Sequence, residues 1–337
     1  MTASATPAPK KVVEILQPEA MPKEESQFTI IRRRFFRHRL ATFSLGLLLV
    51  IFIAAVFARQ LASYGPTEIE LSNRFALPGS VSAESGRTNW LGTDHLGRDY
   101  FSRILYAARI SLTVAFSVVI LSTVIGSLFG AISGYYGGLV DDLLMRFVEF
   151  MLTIPELPLL LIISSILLQS PQAIPIPKAL IDLVAALLYL GPREALQVIM
   201  VTLVLTAFGW LGVSRLMRGM VLSIKNMEYV EAARALGVSD FGIIMRHLIP
   251  NAFAPIIVQA SLALAGFVIT ESVLSFLAFG IQDPTPTWGN MLAFTQSYMF
   301  EHPWLPLIPG LPIFICAMAF NFVGDGLRDA LDPRLKH

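Results

Sequence analysis

Six long apolar runs divide this chain, and they restrict the folds open to it more than any other feature. Each is close to the roughly 20 mostly apolar residues that a helix needs to cross a bilayer. The composition agrees, since 55% of the 337 residues are apolar and only 15% are charged, against about 25% charged in an ordinary soluble domain. The runs occupy residues 40–57, 110–135, 147–168, 195–216, 252–279 and 305–323.

These runs predict an all-α membrane protein with six transmembrane helices. Only helices and closed barrels satisfy every backbone polar group inside a bilayer, and runs of this length indicate helices. The first run begins too far along the chain for a cleaved signal peptide, so we expect it to be retained. A further apolar stretch, Ile181–Leu190, is too short to span and is predicted to form an amphipathic interfacial helix in an outer loop.

Positive charges before the first run predict how the chain is oriented. Residues 32–39 read RRRFFRHR, and arginines beside a span stay on the cytoplasmic side. Six spans then place both termini and the 217–251 segment in the cytoplasm. The outer 60–105 segment also carries arginines, but the charge rule weakens over long loops.

The remaining segments are arranged around the spans. Residues 1–28 contain four prolines and no sustained periodicity, which predicts a disordered cytoplasmic tail. We divide the rest into a first transmembrane helix with its outer loop (29–104), a five-helix core (105–330) and a cytoplasmic C-terminal tail (331–337).

The segment at residues 223–252 has the pattern of a docking unit made of helix, tight turn and helix. Met227–Leu236 is rich in helix formers, and Gly237 follows where a helix end favours a residue with positive φ. Ser239 or Asp240 can cap a second short helix. A DNA-binding helix-turn-helix or a plain connecting loop has the same pattern, although few basic residues are present to neutralise phosphates.

The sequence contains no catalytic machinery that we can identify. The phosphate-binding loop GxxxxGK[ST] is missing, because no glycine in this chain is followed by lysine. The single cysteine, Cys316, cannot form an intrachain disulfide, and the five histidines show no metal-ligand spacing. We therefore predict a protein that is not an enzyme, holds no metal or cofactor and binds no nucleic acid.

The 223–252 loop resembles the EAA loop of ABC-importer permeases. The pattern here is Glu231-Ala232-Ala233, then Gly237, with Pro250 thirteen residues further on. The end of this pattern, Arg246–Asn251, reads RHLIPN and includes His247. It is similar to the peptide and nickel branch of that family. Other segments similar to this branch are LGTDHLGRDYFSR (Leu91–Arg103), SGYYGGLVDDLLMR (Ser133–Arg146), ESVLSFLAFG (Glu271–Gly280) and GDGLRDALDPRL (Gly324–Leu335).

This resemblance implies a type I ABC-importer permease fold with a cytoplasmic coupling helix, similar to the second, C-type permease of the branch. Glu231 would make polar contacts with a separate ATP-hydrolysing subunit, while Ala232, Ala233 and Gly237 would fit a groove on it. The other implied partners are a second, related permease and an external solute-binding protein at the bacterial plasma membrane. Peptides are the expected cargo, and nickel or another small solute is the alternative.

Two other classes of membrane protein remain as alternatives to an ABC permease. A secondary transporter or channel would need no ATPase and would use an ion gradient. A membrane-embedded enzyme would need polar catalytic residues clustered at one membrane depth. Co-purification with an ATPase subunit separates the ABC permease from both.

Charges inside the apolar runs are costly and often functional. Glu149 and Glu156 lie on the third run, which Pro155 and Pro158 should bend, and Glu271 lies deep in the fifth. Each of the three either lines a translocation pathway or is a hydrogen-bonded structural group between helices. Outside the runs, we expect a structural cluster on the outer face, formed by Asp94, Arg98 and Asp99. The alternative is that these residues contact a receptor or substrate.

Overall fold

Long α-helices make up most of the structure, a computed structural model that describes residues 26–170 and 174–332. The predicted N-terminal tail lies almost entirely outside the described residues, as does most of the C-terminal tail. One short antiparallel hairpin pairs β1 (Ser80–Val81) with β2 (Thr88–Asn89). Within the described ranges the α-helices are α1 (Gln27–Arg37), α2 (Arg39–Val56), α3 (Ala58–Leu61), α4 (Tyr100–Tyr136), α5 (Gly138–Thr153), α6 (Glu156–Gln169), α7 (Lys178–Leu188), α8 (Pro192–Ile224), α9 (Glu228–Ala235), α10 (Asp240–Ile243), α11 (Ile249–Phe276), α12 (Trp288–Gln296) and α13 (Leu307–Leu331).

Among the described helices, five are long and apolar enough to cross a membrane: α2, α4, α8, α11 with the turns before it, and α13. The third apolar run forms α5 and α6 instead, which meet at about 90°. Pro155 has no backbone N–H and disfavours a helical conformation at Ile154, whose ψ is 130°. The bend expected at the prolines is therefore a complete break, and the pair makes the sixth span if the two halves cross as one unit.

The short apolar stretch after the third run forms α7, with 11 residues. At about 1.5 Å per residue such a helix is roughly 17 Å long, too short to span. It packs against α8, while Leu183 and Leu187 remain exposed. The helix matches the one expected at 181–190, and its position at the membrane interface stays a prediction.

Helices α4 and α8 form the central pair of the bundle. Gly126, Gly130 and Gly134 follow one another at four-residue spacing on α4, and each lies against the backbone of α8. A β-carbon at Gly130 would collide with the carbonyl oxygen of Ser214, so only glycine permits this approach. Such small-residue contacts are typical of membrane helices, whose association depends on close packing.

The connections 62–99 and 277–306 fold together at one end of the bundle, in a unit we call the distal cap. The ring of His95 stacks on that of Tyr298, with centroids 5.7 Å apart, and lies 5.1 Å from that of Phe294. Burial lowers the pKa of His95 below its usual value, so the neutral imidazole is favoured and packs as an aromatic ring.

A buried ionic network joins the two connections of the distal cap at the start of α4. Arg98 is only 2% exposed; its Nε donates to Asp94 Oδ2 at 2.6 Å and its Nη1 to Asp283 Oδ1 at 2.9 Å. Asp99 caps α4, because its Oδ2 accepts the backbone N–H of Ser102 at 2.7 Å. The geometry of Asp94, Arg98 and Asp99 is thus that of the structural cluster expected from the sequence.

A helix that the sequence analysis did not anticipate, α1, precedes the first span. Its Phe35 is buried against Ala41 and Ala330, and Nη1 of Arg34 donates to the backbone carbonyl of Asp332 at 3.0 Å. The arginine-rich 32–39 segment therefore packs beside the end of α13, and the two ends of the described chain lie together.

We expect Gly130→Val to lower the melting temperature of the purified protein, because the new side chain forces α4 away from α8. Overpacking of a close contact costs about 1–3 kcal/mol. The matched control is Gly46→Val on α2, where a β-carbon would meet nothing within 4 Å, and it should melt like the wild type. Equal melting temperatures for all three proteins would contradict the close contact.

Candidate coupling surface and charged groups of the spans

The loop between α8 and α11 has the predicted order of helix, tight turn and helix. Gly237 adopts a φ of 77°, and the N–H of Val238 donates to the carbonyl of Ala233 at 3.1 Å. This is a Schellman ending, which satisfies a carbonyl that α9 would otherwise leave free. Ser239 then caps α10 through its side-chain oxygen.

A buried underside fixes this loop to its own chain. Ala233 was expected to fit a groove on a partner, but it is only 5% exposed and faces the interior of this protein. It lies three residues after Val230, on the same side of the helix. The underside packs against the C-terminal half of α8 and consists of Val230, Ala233, Ile243, Ile244 and Leu248.

The opposite side of the loop is open, and we call it the coupling surface. It includes Glu231, Ala232 and Gly237, all exposed. Two large apolar side chains that the sequence analysis missed belong to it, Leu236 at 85% exposure and Phe241 at 70%. Large apolar side chains that stay exposed are typical of a protein-interaction site. The loop also holds buried apolar residues such as Val230 and Ile243, so the sequence alone did not distinguish them.

Polar contacts join the loop to the end of α4. The hydroxyl of Tyr135 donates to Asp240 Oδ1 at 2.6 Å, and the guanidinium of Arg234 lies over the Tyr135 ring at 5.8 Å. Nζ of Lys225 donates to the carbonyl of Gly134 at 2.9 Å. A movement of the coupling surface would therefore be transmitted directly to α4.

His247 and Pro250 lie where the loop enters α11. His247 is half-buried in a π-helical turn, Ile244–Leu248, and its carbonyl accepts from Nδ2 of Asn251 at 2.6 Å. Pro250 is in the first turn of α11, directly after the π-helical turn. Both residues shape the connection between loop and span.

Glu271 has the geometry of a structural group. It lies within α11 and is 0% exposed. Its Oε1 accepts a hydrogen bond from the hydroxyl of Ser275 at 2.8 Å. The hydroxyl of Ser275 in turn accepts the N–H of Ile281 at 3.2 Å, so the pair holds the backbone that follows α11. Its Oε2 is buried and has no hydrogen-bond partner among the described residues, so the structural role stays a prediction.

Glu149 and Glu156 are both exposed, on either side of the break between α5 and α6. Glu149 borders a polar cavity of about 640 Å³ between α5 and α8. Glu156 borders a separate, smaller cavity next to the break. Charges of both signs surround the larger one: Asp141, Asp142, Arg146, Glu149, Arg215 and Arg218.

An ion pair links α5 to α8 beside this cavity. Nε and Nη2 of Arg218 donate to the two carboxylate oxygens of Asp141, each at 2.6 Å. The hydroxyl of Ser133 on α4 also donates to Asp141. Bidentate geometry of this kind fixes orientation as well as distance, so three helices meet at one carboxylate.

Metal ligands are not assembled in the part of the chain that the structure describes. No group of three or more His, Cys, Asp or Glu side chains there has the geometry to hold a metal ion. Cys316 is buried in α13.

Apolar spans, a charged cavity between α5 and α8 and a two-sided loop are the features of a membrane permease subunit, a class that is not itself catalytic. Residues 126–337 match the family described as binding-protein-dependent transport system inner membrane component. Residues 26–78 match the N-terminal transmembrane domain of oligopeptide transport permease C. The chain therefore belongs to the binding-protein-dependent inner membrane permease family, and the resemblance seen in its motifs is confirmed.

Similar proteins cover nearly the whole chain. The dipeptide transport system permease protein of Alkalihalophilus pseudofirmus is 36% identical over 321 residues, 94% of each chain. The oligopeptide transport system permease protein of Bacillus subtilis is 32% identical over 90% of this chain and 88% of its own length. The oligopeptide transport system permease protein of Mycobacterium bovis is 33% identical over 91% of this chain and 95% of its own length. The predicted multi-pass inner membrane protein of the type I permease fold is confirmed.

We expect Asp141→Asn to lower both thermal stability and transport, because it weakens two charge-assisted hydrogen bonds worth about 1.5–3 kcal/mol each. Asp142→Asn, at the exposed neighbouring position, is the matched control for stability and should leave the melting temperature unchanged. Exchanging the charges in the double variant Asp141→Arg, Arg218→Asp should recover part of the loss. A double variant no better than Asp141→Asn would contradict a direct ion-pair role.

Proposed function

We propose that this protein forms half of the translocation pathway of an ATP-driven peptide importer and docks through its coupling surface onto a separate ATPase subunit. The observation that carries the proposal is the two-sided loop. Its underside is locked into the permease, while Leu236 and Phe241 are held open on the other side. In a plain connecting loop, holding two large apolar side chains exposed on a fixed backbone would bring no stabilisation.

The ATPase partner follows from the energetics of import. Uptake against a gradient needs an energy source, and this chain has no phosphate-binding loop. Closure of two ATPase subunits on nucleotide would draw two coupling surfaces together. The Tyr135–Asp240 contact would then convert that motion into a displacement of α4, and thereby of α8.

The same geometry supports a cytoplasmic coupling surface. The arginines of the 32–39 segment lie beside the end of α13, on the loop's side of the membrane if six spans are counted. Both termini are then cytoplasmic and the distal cap faces the external binding protein. With Cys316 replaced by alanine, Glu231→Cys should be labelled only by membrane-permeant reagents in intact cells.

Peptides are the cargo that the relatives favour, since their names specify dipeptide and oligopeptide transport. The cavity beside Glu149 supports this, because it presents arginines and carboxylates together. A peptide carries an ammonium and a carboxylate, and such a lining can receive both ends. Nickel remains the alternative within the branch.

A binding protein encoded beside this chain should bind short peptides and not Ni²⁺, because the receptor selects the cargo that the permease releases inward. Calorimetric titration with a peptide library and with Ni²⁺ is the measurement. Tight binding of Ni²⁺ without peptide binding would replace the peptide assignment with the metal one and leave the permease assignment intact.

We expect Leu236→Ser to weaken association with the ATPase subunit roughly 10- to 150-fold, the effect of removing one buried leucine side chain. Affinity is measured by titrating the purified ATPase subunit onto the detergent-solubilised permease. Leu77→Ser is the matched control, since Leu77 is 65% exposed in the distal cap. Equal affinities for the two variants, or ion-driven uptake without any ATPase, would favour a secondary transporter.

Gly237 provides a second probe of the same surface. Gly237→Leu should abolish uptake while the protein stays in the membrane, because the side chain would project from the surface that docks. Gly237→Asn controls for the backbone, since asparagine tolerates positive φ, and should retain more activity. Normal transport by Gly237→Leu would contradict docking at this turn.

A further inference from the structure

An apolar crevice opens on the side of the bundle where α2, α4 and α7 meet. Its volume is about 770 Å³, within the roughly 300–1,000 Å³ range of small-molecule sites. The coupling surface, the charged cavity and the ion pair described above do not contribute to it. The apolar side chains along its walls are Phe52, Leu112, Phe116, Ile120 and Leu187.

One buried arginine borders this crevice. Arg109 is 8% exposed; its Nε donates to the carbonyl of Ala55 and its Nη2 to that of Val56, both at 2.9 Å. These bonds satisfy carbonyls that the end of α2 leaves free. Nη1 is buried and has no hydrogen-bond partner among the described residues. A charged donor left without an acceptor in this setting calls for one from outside the chain.

A second arginine strengthens the positive potential at the mouth. Tyr189, just after α7, lies between the two cations, with Arg109 at 5.1 Å and Arg59 at 5.6 Å from its ring centroid. Arg59 is exposed. Among the described residues that line the crevice, no carboxylate offsets these charges. The site is therefore apolar along its length and cationic at one end.

The position along α4 sets the depth of that cationic end. About 40 Å of helix separate Arg109 from Tyr135 at the coupling loop, given ~1.5 Å per residue. A hydrocarbon core is roughly 30 Å thick, so Arg109 lies near the membrane surface opposite the loop. Lipid headgroups occupy that level, and acyl chains extend from it along the crevice walls.

We propose that the crevice binds an anionic phospholipid, with the phosphate accepting from Nη1 of Arg109 and an acyl chain lying against Phe52, Phe116 and Leu187. The occupant is a lipid because the crevice opens on membrane-facing helices. It is an anionic lipid because Arg109 and Arg59 both lie beside Tyr189, and the described residues that line the crevice include no carboxylate. The bound lipid would pack α7 against α2 and α4.

A photoreactive benzophenone amino acid at Leu187 tests this in the assembled transporter, reconstituted into bilayers of phosphatidylglycerol and phosphatidylethanolamine. Leu187 is 64% exposed and lines the crevice. The same amino acid at Val124, 54% exposed on α4 and outside the crevice, reports the bulk bilayer. After irradiation, mass spectrometry of the labelled peptides gives the ratio of the two lipids at each position.

We expect phosphatidylglycerol to be enriched at Leu187 relative to Val124. Arg59→Gln should lower that enrichment about fivefold, the contribution of one interfacial arginine, while Arg74→Gln in the distal cap should leave it unchanged. These variants avoid Arg109, whose contacts to α2 support folding. Equal ratios at the two positions, an unchanged ratio in Arg59→Gln, or crosslinking of Leu187 to a partner protein would each overturn the proposal.

Discussion

The close contact between α4 and α8 is the interaction on which the other parts of the structure depend. Asp99 is the N-cap residue of α4, at the end next to the distal cap. Tyr135 connects the opposite end of α4 to the coupling loop. Between them, Gly126, Gly130 and Gly134 bring the two backbones together. One continuous pair of packed helices therefore connects the loop to the cap.

Broken helices are costly in a bilayer, because each break frees backbone groups that water cannot satisfy. Here the break between α5 and α6 supports the irregular backbone that follows α11. The chain leaves α11 through Ala278, which has a φ of 63°, and the carbonyl of Phe279 accepts a hydrogen bond from Ser164 on α6. Helix α6 has its direction because α5 ends before Pro155. The proline break thus places the side chain that covers the irregular backbone after α11.

The spans and the helix–turn–helix could be predicted because apolar length, helix caps and a turn glycine are local properties of a sequence. Contacts between residues that are far apart in the sequence could not be predicted. Asp141 and Arg218 are 77 positions apart, and no local pattern pairs them. The expected groove role of Ala233 failed for a related reason. Adjacent residues on a helix point about 100° apart, so only tertiary packing determines that Ala232 is exposed and Ala233 is covered.

The charged cavity limits what can surround this chain in a membrane. Arg146, Glu149 and Arg215 border an opening on α5 and α8, and charged side chains that face hydrocarbon are costly. That face is stable only against water or another protein, the condition that a second permease would meet. The crevice beside α2 has apolar walls and can face lipid. The two openings thus favour opposite environments, water or protein at α5 and α8 and lipid at α2.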